Sequence, residues 1–338
     1  MKGRLGYGAL VVAVCAFTAS ALAVNIETVT VGNPGNAGEL SGAGASPHGR
    51  GPDRICGSVG YVYQIGKFEI TAAQYVSFLN SVATTDQYGL YHTGMATDEY
   101  GCQISRAGSP GSYTYSVAAD FANRPVNYVS WGDAARFCNW LHNGQPTGPQ
   151  SLATTEDGSY YLNGATNAGP LGLVTRKADA TWVMPTEDEW YKAAYHKNDG
   201  VTGNYWDYPT SSNSVPSNAL VNPDPGNNAN YAYTLLGPYY RTVVGEFENS
   251  ESPYGTFDQA GNVWEMNESL IVLSGFTYRG MRGMCCTNYV TDYMHAANRT
   301  GTGTTIQGAA VGFRVAFIPE PASLMLFAAA GLRLLRRR

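Results

Sequence analysis

Three short amphipathic stretches, each opened by its own capping residue, constrain this chain most. The first is "TAAQYVSFLNSVA", where Thr71 is placed as an N-cap. Tyr75, Phe78, Leu79 and Val82 then recur at helical spacing on one face. The second is "SWGDAARFCNWLHNG". Ser130 caps it, Asp133 stands three residues on as the reciprocal partner, and Asn143-Gly144 ends it. Its apolar stripe is Trp131, Ala134, Phe137, Cys138 and Leu141, which makes Cys138 a buried core thiol. The third is "TEDEWYKAAYH", with Thr186 as cap and Glu189 as partner. Glu187 and Asp188 lie in its first turn, where the helix dipole favours negative charge. These acids therefore read as a helix start and not as catalytic carboxylates.

Little else is regular. "YVYQIGKFEI" alternates as a strand, and "IETVTVG" reads as a short strand that begins the lead-in at residues 24–56; the rest of that lead-in is rich in Gly, Ala, Asn and Pro and reads as flexible. Gly (40), Tyr (24) and Trp (6) are abundant, which suits a loop-rich exported fold better than a helical bundle. Charged residues are 14% and the net charge is -5, so nucleic acid is excluded as a partner, because phosphate binding needs clustered Lys and Arg. No internal repeat and no heptad pattern is present.

The ends carry addresses. Residues 1–23 have a basic start at Lys2 and Arg4, an apolar run and an Ala21-Leu22-Ala23 cleavage pattern, the layout of a secretory signal peptide. Cys15 lies in the part removed. Residues 318–338 hold the triplet Pro319-Glu320-Pro321, an apolar run from Ala322 to Leu332, and a cluster ending in Arg336, Arg337 and Arg338. The run is short against the roughly 20 residues that span a bilayer. This tail resembles the PEP-CTERM sorting signal. That resemblance implies an exosortase partner, removal of the tail, and delivery to the envelope or surface of a Gram-negative bacterium.

Four motifs in order carry a second resemblance. They are "PVNYVSWGDAARFCNWL", "MPTEDEWYKAA", "GTFDQAGNVWEM" and "VGFRVAF". Together they are similar to the formylglycine-generating enzyme, or sulfatase-modifying factor, domain, over residues 57–317. The implied fold is an α+β variant of the C-type lectin fold, low in regular secondary structure. Members of the family oxidise a sulfatase cysteine with oxygen and a copper ion held by two cysteines. Related domains bind ligands, or belong to iron-dependent sulfoxide synthases that need a His-rich addition. His48, His92, His142, His196 and His295 are scattered, with no pair at helical metal-ligand spacing.

The resemblance also implies calcium. Asp258 and Glu265, with the carbonyls of Gly261 and Val263, match a structural calcium site residue by residue. These are the hard oxygen donors that calcium takes. A second family site is carried onto Asn230 and Tyr231 of "NANYAY".

The cysteines depart from the family. After signal removal Cys56, Cys102, Cys138, Cys285 and Cys286 remain; an exported chain permits disulfides, and Cys56 and Cys102 are candidates to pair. The family's catalytic cysteines have four residues between them and follow an Arg-Gly-Gly-Ser-aromatic motif. With Arg282-Gly283-Met284 in that motif, Cys285 takes the Ser place and Cys286 the aromatic place; the catalytic places then fall on Asn288 and Tyr293. With Arg279-Gly280 as the start, Cys285 takes the first catalytic place and Val290 the second. The first register better fits the "AANR" segment. Adjacent thiols suit copper badly, since neighbours in an extended strand point to opposite faces. Their Cα atoms, ~3.8 Å apart, also lie below the ~4.4 Å that a disulfide normally needs.

Two readings follow. In one the domain has lost formylglycine formation and serves as a binding or extracellular-matrix module for a glycan or peptide. In the other it is an active copper-dependent oxidase with an altered site at Cys285 and Cys286.

Overall fold

The structure, a computed structural model, describes residues 23–319. The segments read as a signal peptide and a sorting tail lie outside the described residues, apart from their bordering positions. Five α-helices occur among the described residues, α1 (Ala72–Val82), α2 (Gly94–Thr97), α3 (Trp131–His142), α4 (Ala168–Leu173) and α5 (Glu187–Tyr195), with one 3-10 turn at Thr291–Met294. None is long and apolar enough to cross a membrane.

The three capped stretches are the three longest helices. Each begins with a reciprocal box. Ser130 Oγ accepts from Asp133 N at 3.2 Å while Asp133 Oδ2 accepts from Ser130 N at 2.8 Å. Thr186 and Glu189 make the same exchange at 3.0 and 2.7 Å. At α1 the reciprocal partner is Gln74. Each cap stabilises its helix by about 1 kcal/mol. α3 stops at Gly144, whose φ of +79° needs no Cβ, and Gln145 N reaches back to Trp140 O at 2.8 Å.

The predicted faces of α1 and α3 pack together. Phe78 meets Phe137 and Trp140 at ring distances of 5.3 Å each, and Phe137 meets Phe313 at 5.5 Å. Truncating a buried aromatic such as Phe78 typically costs about 3–5 kcal/mol. Yet α3 is buried on more than its stripe. Arg136 pairs with Glu156 through two bonds of 2.7 and 3.0 Å, and Asn139 pins the carbonyls of Thr155 and Tyr160. The loop after α3 wraps the face that a simple amphipathic reading leaves to solvent.

The strands are β1 (Thr28–Val31), β2 (Glu39–Ser41), β3 (Arg54–Cys56), β4 (Tyr63–Gly66), β5 (Ile104–Ala107), β6 (Thr114–Val117), β7 (Trp182–Val183), β8 (Trp264–Leu273), β9 (Phe276–Arg282), β10 (Thr300–Thr302), β11 (Val311–Gly312) and β12 (Ala316–Phe317). One sheet runs β1-β4-β12-β7, so strands from the two ends of the domain flank β4. The other runs β10-β9-β8-β11. Residues 196–263, between α5 and β8, contain no helix or strand, only isolated bridges.

The lead-in is a correction. It is not a flexible tether: β2 pairs with β3, Ser41 Oγ donates to Ala296 O at 2.7 Å, and Asn36 is fully buried. Its Gly and Asn residues supply tight turns rather than freedom. Gly42, at φ +131°, could carry no Cβ, which would fall 2.5 Å from the Asp53 backbone.

Candidate functional site

Arg282 ends β9, and the chain then turns through two left-handed residues, Gly283 (φ +97°) and Met284 (φ +71°). A side chain at Gly283 would place its Cβ 2.8 Å from Gln259 O. This turn lays the cysteine segment against two others. Gly261 N donates to Gly283 O at 2.8 Å, and Cys286 N to Asn262 O at 3.0 Å. Tyr233 N donates to Cys286 O and Ala232 N to Asn288 O, both at 2.8 Å. Asn262 N in turn donates to Asn230 O at 2.9 Å. Asn230, Gly261, Cys285 and Cys286, remote in sequence, therefore meet in one backbone lattice.

Among the described residues no thiol is in a disulfide. Cys56, Cys102, Cys138, Cys285 and Cys286 are free and buried. The suggested Cys56–Cys102 pair does not form. Cys56 sits among Trp190, Tyr191, Tyr195 and Tyr205, whereas Cys102 belongs to the main core. Cys285 Sγ lies 3.4 Å from Thr287 Oγ1 and 3.5 Å from Asn288 Nδ2. Burial pushes the Cys286 thiol up to about 12. Tyr293, at the other family place, packs on Trp264 at 5.4 Å, and Val290 is exposed. His295 stacks on His48 at 5.0 Å and is held below its ordinary pKa by burial.

The expected calcium ligands are placed unevenly. Glu265 departs from the set: Arg314 takes both its oxygens, at 2.5 and 2.6 Å, and Trp190 Nε1 donates to one of them at 2.6 Å. Tyr231 departs as well, since its carbonyl accepts from Thr234 and from Asn218 Nδ2. Asp258 fits better. One oxygen accepts from Gly245 N at 2.6 Å and the other has no hydrogen bond, and burial raises the carboxyl to about 6. Asn230 Oδ1 is buried without a partner.

Beside them stands an acid that sequence reasoning missed. Glu69 is 2% exposed, and neither carboxylate oxygen has a partner. Burial raises its pKa well above the carboxylate range, and Asp258 and Glu265 raise it further. Three carboxylates thus face the single guanidinium of Arg314. Buried negative charge of this kind is costly without a counter-charge; among the described residues no group of three or more His, Cys, Asp or Glu side chains is arranged to hold a metal ion. Glu69 lies inside a strand-like stretch, "KFEIT", where nothing but its charge marks it.

A cavity of about 250 Å³ opens beside Cys286, lined by Tyr100, Tyr233, Arg241, Thr287, Ala309 and Ala310. A larger open groove, about 850 Å³, runs past Tyr161, Leu173 and Lys177 and contains none of the predicted site residues.

Comparisons with known proteins agree with this geometry. Residues 57–318 match the family described as the sulfatase-modifying factor enzyme 1-like domain. No curated protein sequence matches the chain. Among solved structures, Treponema denticola variable protein 1 is similar with a TM-score of 0.53 and 18% identity, over 89% of this chain and 98% of that one. CarF (TM-score 0.48, 18% identity, 87% of this chain and 98% of that one) and PvdO from Pseudomonas aeruginosa (0.43, 16%, 86% and 91%) are similar at a lower level. The four motifs, the α+β arrangement that unites them and the match over residues 57–318 place the chain in the sulfatase-modifying factor enzyme 1-like domain family.

Proposed function

We propose that this protein is an exported, surface-directed binding module that uses a sulfatase-modifying factor domain without making formylglycine. The observation that carries this reading is the surroundings of the two adjacent thiols. Cys285 is neighboured by Thr287 and Asn288, and the family's catalytic places fall on Asn288 and Tyr293 in the preferred register and on Cys285 and Val290 in the other, so neither register supplies a second thiolate. Copper(I) chemistry needs two thiolates on one ion. A Cys286 thiol held up to about 12 stays protonated at neutral pH.

The signal peptide and the PEP-CTERM-like tail support export and exosortase handling at a Gram-negative envelope. The kinship with C-type lectin folds, implied by the family, supports a glycan or peptide as ligand. Calcium is proposed as a structural ion on Asp258 and Glu69, with the carbonyls of Gly261 and Val263 as further donors. Its contribution there is positive charge for buried carboxylates.

The test is incubation of the copper-supplied protein with a Cys-x-Pro-x-Arg peptide, read by mass spectrometry. No aldehyde product is expected. Turnover that vanishes in Cys285→Ser or Cys286→Ser would establish the oxidase instead.

A further inference from the structure

We infer that the cavity beside Cys286 binds a small organic monocarboxylate on the guanidinium of Arg241. This rests on the binding-module reading and names the chemistry of its ligand. Arg241 is 2% exposed, and it makes no ion pair among the described residues. Its Nη1 donates to Tyr100 O at 2.7 Å, while Nε is buried without a partner and no bond is made by Nη2.

Other buried arginines show how unusual this is. Arg136 has Glu156, Arg282 and Arg299 share Glu187, and Arg314 has Glu265. Arg279 also lacks a carboxylate, but it donates to the carbonyls of Glu268, Leu171 and Val174 and lies 3.7 Å over the Trp131 ring. Arg241 has one carbonyl, Tyr100 O, and no aromatic face, and a buried cation without a counter-charge is costly. It also lines the cavity beside Cys286.

The walls select the ligand. Nη2, unbonded and not closed off as Nε is, offers a carboxylate a charge-assisted bond. One guanidinium balances one negative charge, and a phosphate carrying nearly two would be left in excess. Tyr100, Tyr233, Ala309 and Ala310 cover an apolar body, and about 250 Å³ limits its size. Ala232 (φ +50°) and Tyr233 (φ +58°) are consecutive left-handed residues, held there by their bonds to Asn288 and Cys286. Strain of that kind persists where the surroundings impose it, and it presents Tyr233 to the cavity. The neutral Cys286 thiol adds no repulsion.

The experiment is calorimetric titration of the purified protein with 4-hydroxyphenylacetate, its amide, and inorganic phosphate. The acid should bind saturably, and the amide at least about tenfold more weakly, the loss expected for one charge-assisted pair. Phosphate should bind no better than the amide. Arg241→Gln should reduce the acid to the level of the amide, and Ala309→Leu, which fills the cavity and keeps Arg241, should abolish binding. Because the acid-to-amide ratio is measured on the unaltered protein, it stands even if a variant misfolds. No binding of the acid, equal binding of acid and amide, or full binding in a folded Ala309→Leu overturns the inference. Peptide turnover in the oxidase assay would defeat the binding-module reading by a separate readout, so the two failures are distinguishable.

Discussion

Arg282 donates to Glu187 Oε1 from both Nε and Nη2, at 3.0 and 2.8 Å. Arg299 adds bonds of 2.9 and 2.7 Å to the two oxygens of the same carboxylate. Glu187 is thus more than a favourable charge in the first turn of α5. It ties that helix to the cysteine segment and to the "AANR" stretch. Removing one partner of a buried pair costs about 3–5 kcal/mol because the other charge is left uncompensated. Glu187→Gln should lose that much in urea unfolding. Adding Arg282→Met should cost clearly less than the sum of the two single changes. Additive effects would show that the clamp does not act as a unit.

The same clamp predicts an acid limb. Glu187 sits at about 2 against an ordinary 4.5; burial alone would raise it, and the attraction of Arg282 and Arg299 overrides that. A carboxyl depressed in the folded state stabilises above its unfolded pKa and loses that contribution as pH falls toward its folded value. About 3 kcal/mol should therefore disappear between pH ~4.5 and ~2. Glu187→Gln should flatten this limb in pH-dependent melting curves. An unchanged slope would assign the limb to other groups.

Asp258 and Glu69 predict the opposite sign. Burial raises Asp258 to about 6, so its folded form holds a proton that the unfolded chain has already released. In chelator, this contribution to stability should fall as pH rises from about 4 to about 6. Relative to wild type, Asp258→Asn should gain stability over that window. Calcium should raise the melting temperature at pH 7.5 and much less at pH 4.5, where protons already relieve the charge. A calcium effect that survives intact in the Glu69→Gln, Asp258→Asn double variant would place the ion elsewhere.

The Cys286 thiol should be inert while the protein is folded. With Cys286 held up to about 12, its alkylation by iodoacetamide at pH 8 should be at least about 100-fold slower than after denaturation. Rapid native labelling at Cys286, mapped by peptide mass, would contradict the buried, protonated state and revive the case for thiolate chemistry.

Local patterns determined much of this protein by themselves. Capping residues and apolar periodicity located α1, α3 and α5, because a helix start and a buried face are written within about a dozen residues. Ordered motifs likewise placed the chain in its family. What those motifs do was decided by tertiary structure. Glu265, Arg314 and Trp190 come from three different motifs and close one buried knot, so Glu265 serves an arginine where the sequence implied calcium. Glu69 and Arg241 carry no local signature at all. What marks them is the opposite charge they are not paired with, and burial without a counter-charge exists only once segments far apart in the chain have folded around a charge. "GMCC" shows two adjacent thiols and nothing of their surroundings; burial by distant segments is what holds the Cys286 thiol protonated, and residues 100, 233, 241 and 309–310 enclose a cavity beside it.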